Sequence, residues 1–200
     1  MYRIALILAL ALFAASCGGR RSRPQQTACV SQPRVFLPAI APARLSPQEQ
    51  RDYLRWHYWD RFDFADTLFV READTAQMVE AYARWVALIS DRPADAAPMD
   101  SLMRRASASR PMLDYFTMLA QQVIHDPNSP LRNDEFYIPV MQAVLASPYY
   151  DEYERIGPAY DLAMASQNRL GQRANDFRYT LASGATGTVS YTHLRAHETV

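Results

Sequence analysis

Cysteine is scarce: the 200 residues hold two, Cys17 and Cys29. No framework of several internal disulfides can therefore hold this chain together. Glycine is scarce as well, at six residues, two of them adjacent at Gly18 and Gly19. No glycine-rich phosphate loop and no G-x-S-x-G nucleophile elbow is present. Charge of one sign is missing too, since 21 basic residues balance 21 acidic ones. No basic stripe stands out, which argues against nucleic acid as a partner. The longest apolar run, Ile4 to Phe13, falls short of the roughly 20 residues that span a bilayer. No repeat of fixed period appears. What is present is 49% apolar residues, enough for the packed core of one ordinary domain.

The N-terminus has the build of an export signal. Arg3 gives a positive start, Ile4 to Phe13 an apolar core, and Ala14, Ala15 and Ser16 small residues before Cys17. A short membrane anchor, or a signal cut by ordinary signal peptidase, is the alternative. The stretch resembles a bacterial lipobox, with Ala14 where leucine is usual. That resemblance implies a signal peptide over 1–17, lipidation of Cys17, and membrane attachment through an N-terminal lipid anchor. Gly18 stands where some bacteria place the aspartate that retains lipoproteins at the inner membrane. The resemblance thus implies the cell envelope, at the outer membrane facing the periplasm. Arg20, Arg21 and Arg23 are placed to touch lipid headgroups. Residues 18–45, rich in Pro, Gln, Ser and Ala, read as a flexible tether.

From Ser46 the pattern turns helical. Ser46, Pro47 and Glu49 supply a capping hydroxyl, a first-turn proline and a capping-box glutamate, and predict a helix to about Asp60. A second helix is predicted over 72–90, where Met78, Tyr82, Trp85, Val86 and Ile89 keep helical spacing. Asp91-Arg92-Pro93 stops it. Further helices are expected over 99–106, from Ser109 through Val123, from Asn133 through Leu145, and over 151–169. Pro139 marks either a first turn or a kink, and Pro158 interrupts the last helix. Residues 46–169 thus read as an all-α bundle of five or six short helices with short connections.

After Leu170 the character changes. Phe177 to Leu181 and Thr186 to Val189 read as two strands joined by a Ser183-Gly184 turn. The stretch Gly171-Gln172-Arg173-Ala174-Asn175-Asp176-Phe177, a strand, then Gly184 resembles the opening of extracytoplasmic thioredoxin-like domains. Upstream, Tyr53 to Asp66 and Asn133 to Val140 resemble a helical domain of unknown function. That domain precedes such a thioredoxin fold in Bacteroidota-type envelope lipoproteins. The resemblance covers most of residues 46–189. It implies that 170–189 is the start of a thioredoxin-like α/β domain, truncated before its C-x-x-C motif. The last eleven residues, 190–200, resemble translated sequencing adapter and are expected to be a non-native tail. His193, His197 and Glu198 in that tail do not form an H-E-x-x-H frame, so no zinc site is read there.

No catalytic, metal or cofactor residue is assigned. The resemblance implies an accessory part of a thiol–disulfide oxidoreductase acting on envelope proteins, with no catalysis from this fragment itself. A lipid-anchored helical binding or scaffolding module is the alternative. Tyr53, Trp56, Trp59, Phe62 and Phe64 cover more than one helical face. They read either as core or as a binding face for the thioredoxin domain or a substrate. Asp60, Asp63 and Asp66 nearby read as caps and salt bridges rather than a metal site. His57 and His125 have no ligand partner at metal spacing; at a helix end, His125 favours the dipole.

Overall fold

A computed structural model describes residues 33–167, 169, 172 and 175–189. The expected signal, Cys17, most of the tether, and the tail with His193 and His197 lie outside the described residues. So do Gly171, Arg173 and Ala174.

Helix α1, Pro47–His57, begins as the sequence dictates: Ser46 accepts from Glu49 N, and the Glu49 carboxylate accepts from Ser46 N at 2.8 Å. It stops at His57, three residues earlier than expected. Tight turns follow, with Asp60 N donating to His57 O and Phe62 N to Trp59 O. The helix expected over 72–90 is present but starts at Thr75, and a short helix that was not expected precedes it. The four-residue α2, Phe69–Glu72, is separated from α3, Thr75–Ile89, by Ala73 in extended conformation. Asp74 caps α3. Helix α4, Ala97–Ala106, precedes α5, Arg110–Ala120, which Ser109 caps. The chain continues from α5 into a π-helical turn, Gln121–His125, closed by Asp126 N on Gln121 O at 2.9 Å.

Helix α6, Asp134–Ala146, is capped by Asn133 and carries Pro139 in its interior rather than in its first turn. Helix α7, Ile156–Ala165, starts five residues later than expected. Pro158 therefore lies in its first turn, where a missing N–H removes no intrahelical bond. Strands β1, Phe177–Thr180, and β2, Thr186–Val189, pair antiparallel, with Phe177 opposite Val189 and Thr180 opposite Thr186. Gly184 turns the hairpin at φ 81°, a region costly for any residue with a Cβ.

Helix α6 packs against α4, α5 and α7, while α3 packs against α1 and α5. Trp59 sits in the midst of the core. Its ring stacks on Phe36 at 4.8 Å and meets Phe62, Trp85 and Phe116 edge-on at 5.3–6.0 Å. Such aromatic pairs each add roughly 0.5–1.5 kcal/mol beyond their burial.

Phe36 corrects the expected tether. The body begins well before Ser46, because residues 33–40 form an extended strap fixed to it. Arg34 pairs with Ala73 as in a parallel ladder: Arg34 N donates to Glu72 O and Asp74 N to Arg34 O. The Gln77 side-chain amide then brackets Phe36, accepting from its N–H at 3.1 Å and donating to its carbonyl at 2.8 Å. A lone apolar residue in a proline-rich stretch has no periodicity to announce burial. Phe36→Ala should lower unfolding stability by about 3–5 kcal/mol, read from urea denaturation. A loss under about 1 kcal/mol would mean that the strap is not part of the cooperative unit.

Candidate functional site

The five aromatic residues read as a possible binding face do not share a surface. Trp59, Phe62 and Phe64 are buried in the core, because the turns after His57 swing them inward. Trp56 remains 50% exposed on α1. Tyr53 is partly buried, its ring stacked on His57 at 4.2 Å. His57 Nδ1 in turn lies 2.7 Å from the Asp60 carboxylate. A face built from all five is thus replaced by a core cluster of three and a surface pair at α1.

Arg55, one turn before Trp59, was not singled out by its sequence context, yet its side chain is only 1% exposed. Its guanidinium reaches Asp91 at 2.5 Å and Asp95 at 2.9 Å, both in the loop after α3. Its own carbonyl accepts from Trp85 Nε1 at 3.3 Å. Arg55 thereby ties α1 to α3 and its following loop. The Asp91-Arg92-Pro93 stop signal concealed half of this clamp. Arg105 on α4 makes a second one, donating to Trp59 O at 3.0 Å and Asp60 at 3.2 Å while lying 4.4 Å over the Phe64 ring.

The three aspartates go separate ways. Asp60 meets His57 and Arg105, and Asp63 caps its own turn at Ala65 N. Asp66 pairs with Arg34 at 2.5 Å, a hydrogen bond that holds its carboxyl below the usual range. No group of three or more metal-ligating side chains lies together among the described residues.

At the other end, the His125 ring stacks on Tyr137 at 4.1 Å, and Tyr137 Oη reaches Asp161 at 3.3 Å. Glu135 on α6 accepts from Arg169 Nε at 3.1 Å through both carboxylate oxygens. Arg169, beyond the end of α7, is thus tied to α6. Phe177, Tyr179 and Leu181 on that hairpin are exposed.

Two clefts open on the helical body. One, of about 250 Å³, runs beside the strap and is walled by Val35, Leu37, Arg61, Phe62, Asp63 and Asp66. The other, of about 340 Å³, lies between α4 and the end of α6, with Ala143, Ala146 and Pro148 among its lining and Asp100 and Arg104 at its edge.

An all-helical body followed by an antiparallel hairpin defines the class. Residues 16–168 match a domain of unknown function (DUF5106), and the chain belongs to that family. It is also similar to a thioredoxin-like protein from Bacteroides caccae ATCC 43185 known from a crystal structure. The TM-score is 0.65 at 36% identity, over 78% of this chain and 56% of that one. The chain thus spans little more than half the length of that protein. No curated protein matches it.

Two predictions follow from the buried polar groups. Asp91 and Asp95 are 34% and 39% exposed, so solvent screens part of their attraction for Arg55. Replacing both with Asn should still cost about 2–3 kcal/mol, below the 3–5 of a fully buried pair, because the buried guanidinium loses its counter-charges. Arg55→Met should cost less than that double change, since it removes the charge that needs them. The reverse order in urea denaturation would show that the clamp acts through packing alone.

The second concerns alkali. Burial pushes the phenols of Tyr115 and Tyr137 up to about 12, with Asp161 adding to the effect at Tyr137. Below pH ~10, the ordinary phenol value, both states are protonated and stability is intact. As pH rises from there through about 12, the unfolded chain ionises first and folding stability falls. Phenolate absorbance should therefore rise in two steps, the later one coinciding with loss of the tryptophan near-ultraviolet dichroism.

Proposed function

We propose that this chain is the N-terminal, helical accessory part of a thioredoxin-like thiol–disulfide oxidoreductase carried as a lipoprotein in the bacterial envelope. The observation that carries the reading is the joint between helical body and hairpin. It occurs in a chain 36% identical to a thioredoxin-like protein. The hairpin exposes Phe177, Tyr179 and Leu181, and two strands alone are marginal in water. Its apolar side chains suit the opening of a larger sheet.

Thiol chemistry would belong to a C-x-x-C pair in such a sheet. There a thiolate of lowered pKa attacks a disulfide, and its neighbour resolves the mixed disulfide. The residues described here would hold and orient: Glu135 on α6 pairs with Arg169, and the helical body presents envelope protein substrates. Cys17 carries the lipid, and the domain stands off the outer membrane on the segment before the strap. The second reading, a lipid-anchored binding module without catalysis, is favoured by the cleft between α4 and α6, a concave surface that needs no redox partner.

The gene read past Thr188 separates the two. Further strands leading in frame to a C-x-x-C are expected; their absence would leave the binding module. For the anchor, labelled palmitate should enter the expressed protein and be lost in Cys17→Ala. Label persisting in that variant would remove Cys17 as the lipid site.

A further inference from the structure

Over residues 34–37 the strap has two edges, and the body uses one of them; beyond Pro38, Ala39 gives its N–H to Tyr58 O at 3.1 Å. Arg34 gives both its N–H and its carbonyl to the backbone between α2 and α3, and Phe36 gives both of its own to Gln77. In an extended chain successive residues point these groups to opposite sides. Those of Val35 and Leu37 therefore face the other way. They have no hydrogen-bond partner among the described residues. The side chains alternate likewise: Phe36 is buried, while Val35 is 52% and Leu37 63% exposed. Two apolar side chains and four backbone groups thus form a short open strand edge.

We propose that this edge is a docking site for an extended segment of another polypeptide, which adds to it as a strand. The occupant's chemistry follows from what the site offers. A row of alternating donors and acceptors recognises backbone in extended form, independent of sequence. Val35 and Leu37 favour apolar side chains at alternate positions. The cleft of about 250 Å³ beside the strap gives those side chains room against Phe62.

The edge is already ordered by the Phe36–Trp59 stack and the Gln77 bracket. Little entropy remains to be lost on binding. Beyond Leu37 the next residue of the same alternation, Ala39, already gives its N–H to Tyr58 O. That keeps the edge short and guards against open-ended association. The inference rests on the strap alone and holds whichever reading of the parent protein is correct.

The test is titration of the full chain into fluorescein-labelled, reduced and carboxymethylated α-lactalbumin, a permanently unfolded polypeptide, followed by anisotropy. Saturable binding is expected. The Val35→Pro/Leu37→Pro double variant removes the two outward N–H donors together with the two apolar side chains, and should bind about tenfold more weakly or worse with an unchanged thermal midpoint. Should that variant fail to fold, hydrogen exchange on the wild-type chain decides instead. The Val35 and Leu37 amides should exchange fast alone and slow down with the probe, whereas those of Arg34 and Phe36 are protected throughout. Absent binding, binding indifferent to the prolines, or Val35 and Leu37 amides unprotected by the probe would each overturn the proposal. So would their protection in the free chain with a dimer in sedimentation, which would make the edge an interface between copies.

Discussion

The burial of Trp59 is the constraint on which the rest of the helical body depends. Its ring meets Phe36 from the strap, Trp85 from α3 and Phe116 from α5. Its carbonyl is held by Arg105 from α4. Four segments distant in sequence therefore converge on one residue. The indole N–H is buried with no partner among the described residues. An unmet donor costs roughly 1–3 kcal/mol, so the surrounding ring contacts must outweigh that for the position to hold. Stopping α1 at His57 is what makes this possible. One more helical turn would carry residues 58–61 onward along the helix axis rather than inward.

The second organising feature is the choice of base. All 21 basic residues are arginines. The structural ones perform tasks that need a planar, forked donor. Arg55 divides its two terminal nitrogens between Asp91 and Asp95. Arg105 lies flat over Phe64 while donating to the chain. Arg110 lies over Tyr150, bonds Tyr149 O and pairs with Glu154. An ammonium is a point charge on a flexible stem and fills one of these contacts at a time. Neutral net charge thus conceals a set of directional clamps, most of them joining elements more than thirty residues apart.

What could be read in the sequence was local. Ser46 with Glu49, Ser109 with Pro111, and Asn133 each predicted a helix start, because a cap needs only neighbours three residues away. The period of Met78, Tyr82 and Trp85 gave the core face of α3, and Ser183-Gly184 gave the hairpin turn. Non-local features were not legible. Ala73 breaks a helix because Arg34, 39 positions earlier, pairs with it. Arg55 looked like an ordinary surface arginine because its partners lie beyond a helix. Pro139 enters a helix interior because burial of Phe136, Val140 and Met141 on that segment outweighs one lost bond. The aromatic segment at 53–64 could be recognised as important, but its division between core and surface depended on a turn with no distinctive residues.

Helices satisfy their own backbone groups, so a helical domain can recognise partners through side chains only. Among the described residues, two segments stand apart from the helices and their short connections, the strap at 33–40 and the hairpin at 177–189, one on each side of the helical body in sequence. Both are extended, and both carry exposed apolar residues in alternation, Val35 and Leu37 on one, Phe177 and Tyr179 on the other. The helices fix the strap through Phe36 and Gln77, and Glu135 on α6 pairs with Arg169. The helical body thus holds the strap in place. In the proposed docking, backbone-directed recognition belongs to the strap, and the aromatic core gives it rigidity rather than contact.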